Sequence, residues 1–401
     1  MTNEIKNVPE LRFPEFKEEW SKLKLGELAE IVRGSSPRPI SDPRWFDINS
    51  DIGWLRISDV TEQNGKITKL EQKISKDGQK KTRVLHSKHL LLSIAATVGK
   101  PVINYVKTGV HDGFLIFLRP LFDIEFMYQW LDAYRPKWKK YGQPGSQVNL
   151  NSELVKSQKI YMPHSVEQKK ISDFFSKLDQ QIELEEQKLT LLEKQKKGYM
   201  QKIFSQELRF KNDKENNYPE WEVKQLKEIL EFSNKRTTKE NEYPILTSSR
   251  KGLILQSDYY KEGKTFADSN VGYFILPKNF ITYRSRSDDG IFKFNLNQII
   301  DTGIISKYYP VFKGINSNQY YLALHLNNQL KKEYIKYATG TSQLVLSHKN
   351  LQEIKTKLPF YDEQTKIADF LIKFDELIEK QNQKIDGLKS RKKGFLQKMF
   401  V

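Results

Sequence analysis

Two stretches of the sequence repeat each other and determine the fold. Residues 163–204 read PHSVEQKKISDFFSKLDQQIELEEQKLTLLEKQKKGYMQKIF, and residues 359–400 read PFYDEQTKIADFLIKFDELIEKQNQKIDGLKSRKKGFLQKMF. They align without a gap at an offset of 196 residues, and about half of the aligned positions are identical. Two copies are too few for a solenoid. The repeat therefore predicts two similar halves, each a globular unit followed by a long helix.

The apolar residues of each copy are spaced for a coiled coil, because they recur in alternating steps of four and three residues. The predicted pairing residues are Ile171, Phe175, Leu178, Ile182, Leu189 and Leu192 in the first copy and Ile367, Leu371, Phe374, Ile378, Ile385 and Leu388 in the second. Polar residues interrupt this seam at matching places, Glu185 with Gln381 and Lys196 with Lys392. A lone helix would bury so narrow a seam poorly. Antiparallel pairing of the two helices is therefore favoured over two helices that pack on separate cores.

The composition limits what the chain can be. Its 401 residues are enough for two or three hydrophobic cores, and the absence of cysteine excludes disulfides and thiolate metal sites. Only His86 and His89 lie close together, without carboxylates at ligand spacing, so no metal site is predicted. The first residues are charged, unlike a signal peptide, and no apolar run approaches the ~20 residues that span a bilayer. We expect a cytoplasmic protein.

Basic residues outnumber acidic residues, 67 to 50, which gives a net charge of +17. Such a surplus attracts a polyanion, although membranes and acidic proteins also attract it. In this chain Arg, Tyr, Ser, Asn and Gln cluster in predicted loops, and these side chains contact phosphates and base edges in nucleic-acid complexes. Nucleic acid is therefore the favoured partner.

The two halves share their ends and differ in their middles. Leu11-Arg12-Phe13 and Leu208-Arg209-Phe210 lie near the starts, and residues 141–150 match residues 337–346 at the same offset. The middles contain short β-branched and aromatic runs between turn residues, which predict a mixed, mainly β core with a few helices. We predict an α+β fold with a pseudo-two-fold internal repeat. Its domains are residues 1–162 and 206–358, joined by helices at residues 163–205 and 359–401 that form an antiparallel coiled coil.

The order of several short motifs resembles that of a known family. Glu-Gln pairs at 167–168 and 363–364 open the repeated stretches, and Lys-Lys-Gly segments at 196–204 and 392–400 close them. These motifs resemble those of type I restriction–modification specificity subunits. Residues 54–59 and 91–100 in the first half, and residues 246–249 and 303–309 in the second, resemble the target-recognition domains of that family.

The resemblance implies a non-catalytic subunit that reads double-stranded DNA. Each target-recognition domain would read one half of a split target, and the paired helices would set the distance between the halves. Such a subunit binds two adenine-N6 methyltransferase subunits and recruits restriction and translocase subunits. S-adenosylmethionine, ATP and Mg²⁺ would be bound by those partners, and no cofactor by this chain.

The residues themselves are consistent with a protein that catalyses no reaction, but they leave other functions open. The sequence has no Asn/Asp-Pro-Pro-aromatic segment for adenine methylation and no glycine-rich nucleotide loop, and no catalytic residue is predicted. One alternative is a stand-alone sequence-specific DNA-binding protein, such as a repressor. Another is a self-contained restriction or methylation enzyme that uses a similar scaffold.

Candidate DNA contacts lie in predicted loops and at predicted strand ends. Guanidinium groups can contact phosphate or guanine in a bidentate manner, and hydroxyl groups can donate to phosphate. The candidates are Arg33, Ser35, Ser36, Arg38, Arg56, Lys100, Ser146 and Gln147 in the first half and Lys235, Arg236, Ser248, Ser249, Arg250, Lys251, Tyr283, Arg284, Arg286, Ser342 and Gln343 in the second. Arg56 and Lys100 lie among apolar residues and could equally be structural. The Ser-Gln pairs at 146–147 and 342–343 recur in both halves, which favours phosphate over base contacts.

Overall fold

The chain folds into two units, and each unit contains part of both repeated helices. The computed structural model describes residues 7–95, 97–141, 150–259 and 269–401. The first unit comprises residues 1–188 and 381–401, and the second comprises residues 189–380. Each has its own hydrophobic core. In the described ranges, no helix is both long enough and apolar enough to cross a membrane.

In the residues that the structure describes, the globular part of the first unit has ten strands. They are β1 (Ser21–Lys24), β2 (Glu30–Arg33), β3 (Gly53–Trp54), β4 (Lys66–Ile67), β5 (Arg83–Leu85), β6 (His89–Ser93), β7 (Pro101–Asn104), β8 (Thr108–Val110), β9 (Phe114–Leu118) and β10 (Lys159–Met162). The α-helices are α1 (Leu25–Leu28), α2 (Ile57–Glu62), α3 (Lys76–Gln79), α4 (Ile124–Tyr134) and α5 (Ser152–Lys156), with 3-10 helices at Pro43–Trp45 and Arg135–Tyr141. Five strands form a sheet in the order β2-β9-β6-β7-β4, three form a sheet in the order β3-β8-β5, and β1 pairs with β10.

The central strand β6 shows why this sheet is buried on both faces. Successive side chains of a strand point to opposite faces. Leu90 and Leu92 pack in one core cluster with α4, whereas Leu91 packs in a second cluster on the other side. The uninterrupted apolar run of β6 is therefore typical of a strand with two covered faces rather than of a half-exposed strand.

The long helix α6 (Ser165–Phe204) leads into the second unit. Its strands are β11 (Glu222–Gln225), β12 (Leu230–Ser233), β13 (Leu246–Ser249), β14 (Gly252–Leu255), β15 (Phe274–Pro277), β16 (Ile281–Tyr283), β17 (Arg286–Ser287), β18 (Phe294–Leu296), β19 (Thr302–Ile305), β20 (Val311–Gly314), β21 (Leu344–Val345) and β22 (Lys355–Leu358). Its further helices are α7 (Leu226–Ile229), α8 (Gln256–Tyr259), α9 (Gln319–Asn328), α10 (Lys331–Tyr337), α11 (His348–Gln352) and α12 (Tyr361–Lys398). Four strands form a sheet in the order β12-β20-β16-β18, and β11 pairs with β22 as β1 pairs with β10.

Within each unit, segments of α6 and α12 pack against each other along the predicted seam. Ile171, Phe175, Leu178, Ile182, Ile367, Leu371, Ile385 and Leu388 are buried, and Leu189, Leu192, Phe374 and Ile378 are half-buried. In the first unit Leu178 and Ile182 pack with Leu388. In the second, the ring of Tyr199 contacts that of Phe374 at 5.5 Å.

The direction of the two helices follows from their ion pairs. In the first unit Asp179 pairs with Lys392, and the later residue Glu186 pairs with the earlier residue Lys389. Moving forward along α6 therefore means moving backward along α12. The predicted antiparallel pairing is confirmed.

The polar interruptions of the seam have partners on the opposite helix. Glu185 accepts a hydrogen bond from the side-chain amide of Gln381 at 2.7 Å, and Asp179 pairs with Lys392 at 2.7 Å. In the second unit Lys196 pairs with Asp375. Asp179 and Asp375 occupy equivalent positions of the repeat, as do Lys392 and Lys196, so the same ion pair occurs once in each unit.

Asp179 also joins the helix pair to the globular part of its unit. Its carboxylate accepts from Lys66 at 2.9 Å and from Gln129 at 3.1 Å. Burial raises the pKa of Asp179, but the charges of Lys392 and Lys66 outweigh this effect, and the net shift is downward. The carboxylate is therefore held in its charged form inside the unit.

The glutamate at the start of each long helix is a buried anchor. Glu167 accepts from the guanidinium of Arg12 at 2.7 and 2.8 Å and from the indole of Trp20 at 3.2 Å. Glu363 accepts from Arg209 at 3.2 and 2.9 Å. The Leu-Arg-Phe segment near the start of each half is thereby attached to its helix by a charge-assisted hydrogen bond.

The following glutamine links the long helix to the helix that packs beside it. The side-chain oxygen of Gln168 accepts from the backbone N–H of Asp123, the N-cap residue of α4, at 2.9 Å. Gln364 accepts in the same way from Asn318, the N-cap residue of α9, at 3.0 Å. The repeated Glu-Gln pair is therefore explained by structure alone, because it orients each long helix against its own unit.

We expect Glu167→Gln to lower the free energy of unfolding of the first unit by roughly 3 kcal/mol, because removing one charge of a buried pair leaves the other uncompensated. The side chains of Arg12 and Glu167 are only 13% and 2% exposed. The matched control is Glu15→Gln, whose partner Lys170 is exposed, and which should have little effect. Urea unfolding of the two variants measures the difference. Equal destabilisation by both would contradict the anchoring role of Glu167.

Candidate nucleic-acid interface

Three of the predicted contact segments meet in the second unit. Strands β13 and β14 form a hairpin whose two-residue turn is Arg250-Lys251. The chain between β16 and β17 carries Arg284, and β17 begins with Arg286. Strand β17 pairs with β21, which directly follows Gln343. Segments far apart in the sequence therefore share one side of this unit.

The first two of these segments line a concave surface with a volume of about 490 Å³, and the third lies beside it, where Gln343 donates to the lining residue Asp288. The lining residues are Thr247, Ser248, Ser249, Arg250, Lys251, Ile254, Tyr259, Arg284, Arg286, Ser287, Asp288, Ile291, Lys293 and Tyr309. Five of them are lysine or arginine, and one is acidic. The surface, hereafter the basic cavity, therefore has a positive potential that attracts a polyanion.

The cations of the basic cavity differ in how they are held. Arg250 pairs with Asp289 at 2.8 Å, and the guanidinium of Arg286 lies 5.8 Å from the ring centre of Tyr308. Lys251 and Arg284 are exposed, and their side chains make no hydrogen bond or ion pair with any residue that the structure describes. Two of the five cations are thus oriented, and Lys251 and Arg284 are available to an incoming anion.

The structure contradicts the predicted DNA contact of Tyr283. It is fully buried, its ring stacks on Phe294 at 4.6 Å, and its hydroxyl donates to the carbonyl of Leu346 at 2.9 Å. Burial also raises the pKa of this hydroxyl. The expected contact of Tyr283 with DNA is therefore wrong, because strand alternation turns this side chain into the core and leaves the next residue, Arg284, outside.

Two serines of the hairpin are also held by the fold. Ser248 is buried, and its hydroxyl accepts from the amide of Asn295 at 2.7 Å. The hydroxyl of Ser249 donates to the carbonyl of Gly252 at 2.9 Å. These bonds fix the hairpin that carries Arg250 and Lys251, so the serines position the cations.

The remaining candidates of the second unit lie in two places, one beside the basic cavity and one away from it. Gln343 donates to Asp288 in the basic cavity at 2.8 Å, and Ser342 beside it is exposed. Lys235 and Arg236 are exposed but do not line the cavity. Arg236 lies 4.0 Å from the ring centre of Phe274. The structure therefore joins the 342–343 segment to the cavity and leaves the 235–236 segment apart from it.

In the first unit, four candidates lie at the end of β2 and in the loop that follows it, and two of them bond the carboxylate of Asp112. Asp112 accepts from the hydroxyl of Ser36 at 2.8 Å and from Arg38 at 2.7 Å, and its backbone carbonyl accepts from Arg33 at 2.6 Å. The backbone N–H of Ser35 donates to the carbonyl of Val110 at 3.0 Å. Burial raises the pKa of Asp112, but the Ser36 bond and the Arg38 charge lower it by more. The loop is thus ordered, with the Arg38 side chain 71% exposed.

The other candidates of the first unit lie elsewhere. Arg56 binds Asp59 with two side-chain nitrogens, at 2.7 and 3.1 Å, and Asp59 also accepts from the backbone N–H of Arg56, the N-cap residue of α2, at 2.8 Å, so Arg56 has a structural role. Lys100 is half-buried and donates to Asn64 at 2.8 Å. Ser146 and Gln147 lie outside the described residues.

Sequence reasoning missed Lys293, which lines the basic cavity. The missed signal was local, since Lys293 lies between Phe292 and Phe294 in a strand-like run. Alternation predicts that a lysine flanked by two core aromatics faces the opposite side.

Among the described residues, no group of three His, Asp or Glu side chains could hold a metal ion.

Comparison with known proteins identifies the family. The family model for the type I restriction modification DNA specificity domain matches the chain twice, over residues 17–194 and 218–390. The chain belongs to this family. The predicted family and the predicted fold, with two related domains and two long helices, are confirmed, and the chain is a specificity subunit of the type I restriction–modification class.

Two relatives come from Methanocaldococcus jannaschii. The type I restriction enzyme MjaVIII specificity subunit is 23% identical over 420 residues, which cover 98% of this chain and 94% of the relative. The putative type I restriction enzyme MjaX specificity subunit is 24% identical over 427 residues, covering 97% and 95%. Both alignments span the two halves together.

Two solved structures share the fold. The type I restriction–modification S subunit from M. genitalium is 14% identical, with a TM-score of 0.57, and covers 98% of this chain and 99% of its own. A chain from a structural study of complex assembly and conformational transition of the type I R-M system is 15% identical, with a TM-score of 0.54, and covers 96% and 98%.

We expect Arg284→Ala to weaken DNA binding, because this exposed guanidinium has no partner of its own among the described residues. A base-edge contact would relax one position of the target at a cost of roughly 1–3 kcal/mol, whereas a phosphate contact would weaken all sequences alike. The control is Arg119→Ala, which removes an exposed guanidinium that pairs with Glu30 in the first unit and is not a candidate contact. Affinity for the target and its single-base variants is measured. Wild-type affinity and specificity for Arg284→Ala would exclude this residue from the interface.

Proposed function

We propose that this chain reads a bipartite DNA target, with one recognition domain for each half, and docks the methyltransferase and restriction subunits of its complex. The observation that supports the proposal best is the basic cavity. It is lined by segments from the middle of the second half, where the two halves differ, and it combines guanidinium, ammonium and hydroxyl groups. These are the groups that read base edges in the major groove and bind phosphates.

Two recognition surfaces built differently suit two different half-sites. In the first unit the candidate loop is organised around Asp112, whereas in the second the cations stand on a hairpin turn and on the chain after β16. The domains nevertheless attach to their helices by the same Glu-Gln contacts, and the helices pair through the same Asp-Lys ion pair. The contacts that hold the long helices are therefore common to both units, and the surface proposed to contact DNA can differ between them.

The chemistry of the complex is assigned to the partner subunits. Two adenine-N6 methyltransferase subunits would bind S-adenosylmethionine, and restriction subunits would use ATP and Mg²⁺. In this proposal the present chain supplies sequence recognition and no catalytic group, and it acts in the cytoplasm. Its long helices offer exposed polar faces that are compatible with docking of large partners.

Replacing residues 24–140 with those of another family member tests the proposal. We expect the swap to change one half of the methylated motif and to leave the other half unchanged, because each domain reads independently. The motif is determined by methylome sequencing of cells that carry the swapped chain with its partners. A swap that altered both halves would contradict the proposal.

Two measurements separate this function from its rivals. Co-purification with a methyltransferase is expected here, and its absence would favour a stand-alone DNA-binding protein. Binding of S-adenosylmethionine to the isolated chain would favour a self-contained enzyme, and we expect none.

A further inference from the structure

A short basic segment follows α4 in the first unit, and a similar basic segment follows α9 in the second unit. Residues 135–141 read RPKWKKY, and residues 331–337 read KKEYIKY, at the same offset of 196 residues. Both copies have a cation at the first position, Arg135 and Lys331, and an aromatic residue at the fourth, Trp138 and Tyr334. Both aromatic side chains are buried, at 1% exposure. A buried ring thus anchors a cationic segment to each unit.

In the first unit a lysine from another segment lies beside this anchor. A Cβ atom at Gly99 would lie 2.5 Å from Cδ1 of Trp138, so the chain passes closer to this ring than any other residue would allow. Lys100 follows immediately, is half-buried and donates to Asn64 at 2.8 Å. The close packing of Gly99 on Trp138 therefore places Lys100 next to the segment that begins with Arg135.

The charges around Lys100 agree with this arrangement. Burial lowers the pKa of Lys100, Asp132 and Asp179 oppose this shift, and Arg135 and Lys392 add to it. The net shift of the Lys100 pKa is downward, so the effects of burial and of the neighbouring cations outweigh the effect of the acidic neighbours. An additional anion at this position would be favourable.

The second unit repeats the arrangement with a different lysine. The rings of Phe292 and Phe294 pack against Tyr334, at 6.1 and 5.2 Å between ring centres. Lys293 between them faces the basic cavity, and it forms no ion pair with any residue that the structure describes. Burial lowers its pKa, and the charges of Lys331 and Lys196 lower it further.

We propose that Lys293 with Lys331 in the second unit, and Lys100 with Arg135 in the first, bind backbone phosphates of the DNA without regard to sequence. This assignment rests on the proposed DNA-reading function and specifies which side chains hold the backbone. A half-buried positive charge without an ion-pair partner gains more from an anion than a fully solvated one. A feature common to two domains with different reading surfaces suits the phosphate, which every sequence presents alike.

The test uses the full chain with Lys293→Gln and Lys331→Gln together. The probes are one duplex with the methylated motif and one unrelated duplex, titrated at several salt concentrations. We expect affinity for both duplexes to fall by the same factor, on the order of tenfold. The salt slope should become smaller by about 0.9 for each phosphate that the variant no longer neutralises. Lys100→Gln with Arg135→Gln should have the same effect through the first unit.

The control is Lys224→Gln with Lys278→Gln, which removes two charges from the same unit outside the cavity, where the lysines pair with Glu222 and Asp301. A decrease as large as that of the test variant would attribute the effect to net charge and overturn the assignment. Unchanged affinity and salt slope in the test variant, or weaker binding of the motif duplex alone, would overturn it as well. The exposed single variant Lys331→Gln repeats the test without altering a half-buried residue.

The assignment and the proposed function fail in different ways. If the wild-type chain does not distinguish the motif duplex from the unrelated one, the reading function fails. The phosphate assignment depends only on the difference between wild type and variant on either duplex.

Discussion

The ion pair between an aspartate of one long helix and a lysine of the other is the constraint on which the rest of the structure depends. Apolar seams tolerate a shift by a heptad, whereas a charge inside the seam requires its partner. The same aspartates also contact the globular parts: Asp179 accepts from Lys66 and Gln129, and Asp375 from the hydroxyl of Tyr320. One carboxylate in each unit therefore sets helix register and attaches the domain to the helix.

This double role explains the distribution of repetition in the sequence. The contacts that join helix to helix and helix to domain occur twice, because each unit must make them. The middles are free of this requirement, and they carry the features that differ, the loop around Asp112 in one unit and the hairpin turn at Arg250 in the other. Under the proposed function, a common frame with two different surfaces would let one chain read two different pieces of DNA.

The sequence was sufficient to predict the long helices and insufficient to predict the candidate recognition surfaces, for a physical reason. Helix pairing depends on local periodicity, so the seam from Ile171 to Leu192 could be predicted residue by residue. Glu185 and Lys196 were interpreted only as interruptions, because their partners, Gln381 and Asp375, lie far away in the chain. The basic cavity joins segments around 250 and 285, and Gln343 contacts its lining residue Asp288; only the fold brings these segments together. Tyr283 was misjudged and Lys293 missed, since each depends on which face of a strand is covered.

Under the proposed function, this chain alone decides which DNA sequence its complex modifies. Methylome sequencing of a host that carries the partner subunits, with and without this chain, tests the claim most directly. We predict that N6-methyladenine is present at one motif with two defined halves separated by unspecified bases, and that it disappears without the chain. Methylation of the same motif in the absence of the chain, or of a single continuous motif in its presence, would contradict the account.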